Sequence, residues 1–187
     1  MTCISKPKAY LASPLGFMEA GRFFMDRELV PLIEKAGFDV LNPWKLTQPE
    51  LLQSASCLPY GEQRRSRWKE INPMIGSNNA RSIREATVMV AVLDGPDVDS
   101  GTAAEIGYAS ALGKPIIGYR NDFRFCGDNE GSVINLQVEY FVCENGGTIV
   151  TDLPTLQKAL ELFRSRLTAG SLSDGRMIAE ETSEQSG

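Results

Sequence analysis

Histidine is absent from this 187-residue chain. Without an imidazole there is no Ser-His-Asp or Cys-His nucleophile system and no histidine zinc ligand. Acid–base or covalent chemistry then falls to carboxylates, tyrosine, lysine or cysteine. Cysteine is sparse: Cys3, Cys57, Cys126 and Cys143 stand apart without metal-ligand spacing, so reduced thiols are expected and no disulfide framework is implied. No apolar run is long enough to span a bilayer. Met1–Pro7 lacks an apolar signal core, and a cytoplasmic protein with no membrane partner is expected. Positive charge is outnumbered, 19 Lys and Arg against 24 Asp and Glu, for a net charge of −5. That balance speaks against a broad electrostatic grip on nucleic acid. The phosphate-cradling patterns GxGxxG and GxxxxGK[ST] are both missing, and there is no internal repeat.

What is present centres on residues 87–120. Val88 to Leu93 is an apolar run of strand length, suited to a strand covered on both faces. Asp94 and Gly95 end it, and a loop with Pro96, Asp97 and Asp99 follows. Ser100 reads as the N-cap of a helix from Gly101 to about Leu112, with Gly113 past its end. Ile116 to Tyr119 is the next strand. The loop of this βαβ unit lies at the carboxyl end of a strand, where open α/β sheets bind ligands. Glu105 is the one acid between Ser100 and Gly113, on a helix of small residues that can lie close to its neighbours. It is either a cleft-facing carboxylate or an anion favoured by the helix dipole. The lack of histidine shifts the balance toward the first.

Before this unit, Ala9 to Ala12 form a first strand, ended by Ser13, Pro14, Leu15 and Gly16. Tyr10 on it is either a core aromatic or a group aimed at the same sheet edge. A helical stripe through Met25, Leu29, Leu32 and Ala36 follows, with Pro31 expected to kink or divide the helix. Phe38 to Leu41 is the second strand. Residues 42–76, with four prolines, are hard to read; the basic cluster around Trp68 reads as a solvated helix face in preference to a phosphate or nucleic-acid patch, and an insertion here could form a lid or an intersubunit contact. Asn78 or Asn79 is taken to begin a helix through Ala86. After Tyr119 comes a polar loop, and a strand pair between Tyr140 and Val150 is expected to turn at Asn145, Gly146 and Gly147. A last helix from Leu153 carries the stripe Leu156, Leu160, Phe163 and Leu167. Together these give an α/β fold: one doubly wound, Rossmann- or flavodoxin-like parallel sheet with helices on both faces. The domain spans 1–170, with an insertion at about 44–76, and 171–187 reads as a flexible acidic tail.

Three pieces of this sequence, Tyr10-Leu11-Ala12-Ser13-Pro14, Asp99 through Ala109, and Asn135-Leu136, resemble the motifs of the nucleoside 2-deoxyribosyltransferases. The likeness runs from Ala9 to Phe141, excepting the insertion. The resemblance implies that Glu105 is the nucleophile, that Tyr10 orients it, and that Asp99 holds the deoxyribose 5′-hydroxyl. It implies that Asn135 is lent to a neighbouring subunit's site, hence a homo-oligomer. Asn79 matches a position near the nucleobase, with helix capping as the alternative; Gln137 stands where base preference could be altered. Ser13 and Gly101, inside the same motifs, complete the implied substrate-binding set. The implied partners are deoxynucleosides and nucleobases, and the implied chemistry, a double displacement with retention, requires no metal or organic cofactor. Two rival readings remain: a 2′-deoxynucleoside 5′-monophosphate N-hydrolase, against which Asp99 sets negative charge, and a non-catalytic nucleotide-sensing module, against which the pair Tyr10 and Glu105 argues. The cytokinin-activating phosphoribohydrolases are a poorer match, because Val98-Asp99-Ser100 precede Gly101 where they carry paired glycines.

Overall fold

The computed structural model describes the backbone of residues 5–183 and the side chains of residues 5–169. The expected flexible tail, 171–187, lies outside the residues whose side chains are described. Five parallel strands run β1 (Lys8–Ala12), β2 (Asp39–Leu41), β3 (Val88–Val92), β4 (Ile116–Tyr119) and β5 (Thr148–Val150), in the spatial order β2-β1-β3-β4-β5. The chain reverses its direction of growth between β1 and β3, and in doubly wound sheets the crevice outside that switch point is where ligands bind.

Strand alternation divides the core in two, because successive side chains point to opposite faces. Ala9 and Leu11 of β1 join Val88, Val90 and Val92 of β3 on one face. There they meet the first helical segment, built of α1 (Glu19–Phe24), a wider π turn at Met25–Leu29, and α2 (Val30–Lys35). The expected break at Pro31 takes this form: proline sits in the first turn of α2, just after the helix has widened. The last helix, α7 (Leu153–Ser183), packs on the same face through Leu156 and Leu160. Tyr10, Ala12, Met89, Ala91 and Leu93 face the other way. Covering them are α4 (Glu62–Glu85), α5 (Ser100–Ala111) and α6 (Leu136–Glu144), through Ile83, Ile106, Ala109, Val138 and Val142. Each buried aliphatic contributes on the order of 2 kcal/mol by transfer.

Several expectations are corrected. The region before β3 holds α3 (Pro49–Ser56) and the 24-residue α4, so the helix entering β3 begins at Glu62 rather than at Asn78 or Asn79. Pro73 lies inside it on the exposed side, where water can serve the carbonyl that loses its N–H partner. The basic cluster, by contrast, is the solvated helix face expected of it: Arg65 pairs with Glu62 and Arg67 with Glu70 in the open. The expected strand pair between Tyr140 and Val150 is instead α6 followed by β5, which lies parallel to β4. The turn residues Asn145–Gly147 end a helix rather than join a hairpin, with Gly146 at φ 75° in the left-handed region that suits a helix terminus. Finally, the N-cap of α5 is Asp99, not Ser100.

Candidate active site

The site is assembled from α4, α5 and the loops after the carboxyl ends of β1, β2 and β3. On β1, the alternation that sends Tyr10 to the α5 side buries its ring completely. Its hydroxyl emerges at the helix and donates to Glu105 Oε1 at 2.7 Å. Tyr10 is therefore a core aromatic and a site residue at once. Asn79, in the interior of α4 rather than at its start, donates through Nδ2 to the same Oε1 at 3.3 Å. Helix capping is thereby excluded for Asn79.

Both donors land on Oε1. Among the described residues Oε2 accepts no hydrogen bond, and it is not among the buried polar atoms lacking a partner, so it faces the open cleft. Burial raises the Glu105 carboxyl above its ordinary value, opposed by the Tyr10 hydrogen bond, with the Asp99 charge raising it further and the Asn79 bond lowering it. Burial first, and then the Glu105 charge, push the Tyr10 phenol far up, so it stays a donor at any pH the fold survives. The arrangement is a half-desolvated carboxylate, fixed by one oxygen and free at the other.

Asp99 caps α5, its Oδ2 accepting from Thr102 N–H at 3.0 Å and from Thr102 Oγ1 at 3.3 Å. It lines the same cleft as Glu105, together with Gly101 and Thr102. Six residues separate the two backbone positions, about 9 Å along the axis of α5. The loop that delivers Asp99 is braced by Arg120, which is buried to 2% exposure. Its guanidinium donates to the carbonyls of Leu93, Gly95 and Arg124, tying the loop after β3 to the loop after β4.

The opposite wall is aromatic. Phe17 and Trp44 meet edge to face, centroids 4.6 Å apart and planes at 86°. The indole Nε1 donates to the Ser13 carbonyl at 3.0 Å, while Ser13 Oγ accepts from Leu15 N–H. Gly16 is obligatory beneath this ring, since a Cβ there would stand 2.0 Å from the indole. Pro43, and Asn72 and Ile75 from α4, complete the cleft. The stretch expected as an insertion thus supplies much of one wall. Phe17, Trp44, Asn72, Ile75 and Thr102 were not anticipated from the sequence; an exposed Phe beside a Ser-Pro turn and a Trp after Asn-Pro were the available signals. Larger clefts lie elsewhere, at the amino ends of the strands and beside α3; the first includes Glu85, whose carboxyl the Lys8 hydrogen bond holds down, and neither includes an acid raised by burial.

Of the expected site residues, Ser13, Asn79, Asp99, Gly101 and Glu105 line one cleft, with Tyr10 directly behind Glu105. Asn135 and Gln137 do not line it. Asn135 caps α6, accepting from the Gln137 and Val138 N–H groups, and Gln137 is exposed. Among the described residues Cys57, Cys126 and Cys143 are unpaired, and no helix is long and apolar enough to cross a membrane.

Comparison with known proteins bears on the fold and the family. Of the solved structures that resemble the chain, a conserved protein from Enterococcus faecalis V583 superimposes with a TM-score of 0.63 at 22% identity, covering 84% of this chain and 99% of that one. A 2-deoxyribosyltransferase from Bacillus psychrosaccharolyticus gives 0.55 at 23% identity, over 80% of this chain and 90% of that one. The Leishmania mexicana 2-deoxyribosyltransferase gives 0.55 at 21% identity, over 84% and 96%. At such identities the likeness establishes the doubly wound fold. No curated protein sequence matches. The profile of one family, described as nucleoside 2-deoxyribosyltransferase, matches residues 9–137, more than half of the chain, and on that ground the protein belongs to the nucleoside 2-deoxyribosyltransferase family.

Proposed function

We propose that the protein transfers 2-deoxyribose between nucleobases through a covalent intermediate on Glu105. One observation carries this reading: Glu105 presents a free Oε2 to the cleft while Tyr10 and Asn79 hold Oε1. Cleaving the N-glycosidic bond builds positive charge at C1′, and a carboxylate on the opposite face stabilises it and then bonds to it. In the first displacement an Oε2 lone pair forms the C1′–O bond as the C1′–N pair departs with the base. A second nucleobase, its ring N–H proton given up to the departed base or to water, then attacks C1′, its nitrogen pair forming the new bond as the ester pair returns to Glu105. Two inversions restore the configuration. Burial of Glu105 favours the step, because a poorly solvated carboxylate sheds little water on attacking.

In this reading Asp99 accepts the 5′-hydroxyl, and the Phe17–Trp44 wall carries the base. Asn135 belongs to a neighbouring subunit's site in a homo-oligomer. That assignment is tested by co-expressing Glu105→Ala with Asn135→Ala: mixed oligomers should regain activity. The 5′-monophosphate N-hydrolase is disfavoured by the two carboxylates and by the lack of any lysine or arginine among the described residues lining the cleft.

The deciding experiment incubates the protein with thymidine and free adenine, then separates the products. Formation of deoxyadenosine is expected, with a deoxyribosyl mass adduct that Glu105→Ala lacks. Neither exchange nor adduct would remove the reading.

A further inference from the structure

Resting on Glu105 as the nucleophile, we infer that the site takes deoxynucleosides whose base departs without a proton from the protein, so that it selects for acidic, imide-type leaving bases.

The argument comes from the inventory of the cleft. Its described lining has two carboxylates, the hydroxyls of Ser13 and Thr102, the amides of Asn72 and Asn79, and otherwise aromatic or aliphatic surface. A leaving base takes a proton only from a group that carries one to spare and can reach it. Glu105 is consumed as the nucleophile. Asp99 is an acceptor, its Oδ2 taking hydrogen bonds from the Thr102 N–H and hydroxyl. Tyr10 is wholly buried behind Glu105, its one proton aimed at Oε1. The amides hold their hydrogens at every relevant pH. Even the residue assigned to a neighbour, Asn135, is an amide.

Bond cleavage must therefore leave the C1′–N electron pair on a base that can hold it until water supplies a proton. Uracil-type bases spread that charge over two carbonyl oxygens. An amide N–H is suited to such an oxygen, and Asn79 Nδ2 has a second hydrogen beyond the one given to Glu105. A purine differs in having a basic N7, and its departure is sped by a proton taken there from solvent.

The test is a single-turnover cleavage series on the native protein, with 5-fluoro-2′-deoxyuridine, 2′-deoxyuridine, thymidine and 2′-deoxyinosine, followed from pH 5 to pH 9. Rates in the pyrimidine series are expected to fall by roughly an order of magnitude per unit rise in the pKa of the departing base. They should stay level as pH rises above the Glu105 titration, while deoxyinosine cleavage falls with pH. Installing an acid with Asn79→Asp should flatten the pyrimidine series and add a fall at high pH. A native series flat within about twofold, with an alkaline fall of its own, would reveal a protein proton donor and overturn the inference. In that event a Glu105 adduct by mass spectrometry leaves the transferase reading standing. Cleavage of none of the four would overturn both.

Discussion

The choice between nucleosides and nucleotides turns on Asp99, and its outcome is calculable. The first turn of α5 offers backbone N–H groups and the positive end of a helix dipole, ordinarily a ready site for phosphate. Here the Asp99 carboxylate already takes the Thr102 N–H. A phosphate entering at about 4 Å from that carboxylate meets repulsion of about 4 kcal/mol per unit charge at an effective dielectric near 20. The helix end returns only about 0.3–1 kcal/mol. Solvent at the open mouth weakens the repulsion, and a net penalty of roughly 3 kcal/mol corresponds to about a hundredfold in rate. The described lining supplies no cation to offset it. Asp99→Ser keeps a competent helix cap and removes the charge. The assay is kcat/KM for thymidine and for its 5′-monophosphate, in both proteins. Native protein is expected to favour thymidine by about two orders of magnitude, and the variant to narrow that ratio at least about tenfold, with weaker thymidine use. Native preference for the monophosphate, or an unchanged ratio in Asp99→Ser, would refute the reasoning.

Three further outcomes are expected. Glu105→Gln should abolish exchange yet raise the melting temperature at pH 7. Because burial lifts the Glu105 carboxyl above 4.5, the folded state holds its proton more tightly than the unfolded chain does, and stability is lost as pH rises from 4.5 through the lifted value. The gain should vanish in melts at pH 4, and equal gains at both pH values would contradict the linkage. Tyr10→Phe should slow exchange and move its acidic limb to higher pH, since the Tyr10 hydrogen bond holds the Glu105 carboxyl down; an unmoved profile would leave Tyr10 as packing alone. Trp44→Ala should raise KM with a loss of about 1–3 kcal/mol, the usual worth of a base-stacking ring; unchanged KM in a folded variant would take the base off that wall.

The sequence by itself determined the strands and the acid. Continuous apolar runs at Ala9–Ala12 and Val88–Leu93 specify strands buried on both faces, because no other short element hides so many aliphatics. A lone glutamate on a helix of alanines and glycines, in a chain without histidine, left few other candidates for covalent chemistry. Tertiary structure decided how those residues meet. Tyr10 and Glu105 stand 95 positions apart, and only the packing of α5 across β1 brings the phenol within 2.7 Å of the carboxylate. Asn commonly caps a helix, which favours a start at Asn78 or Asn79, whereas Pro73 lies on the exposed side and lets α4 run through it. Asn145-Gly146-Gly147 has the chemistry of a hairpin turn and of a helix end alike. Burial of Val138 and Val142, four residues apart and on one face of α6, chose the helix. The aromatic wall was out of reach for the same kind of reason: Phe17 and Trp44 form one surface only because Gly16 lets the indole lie directly on the chain between them.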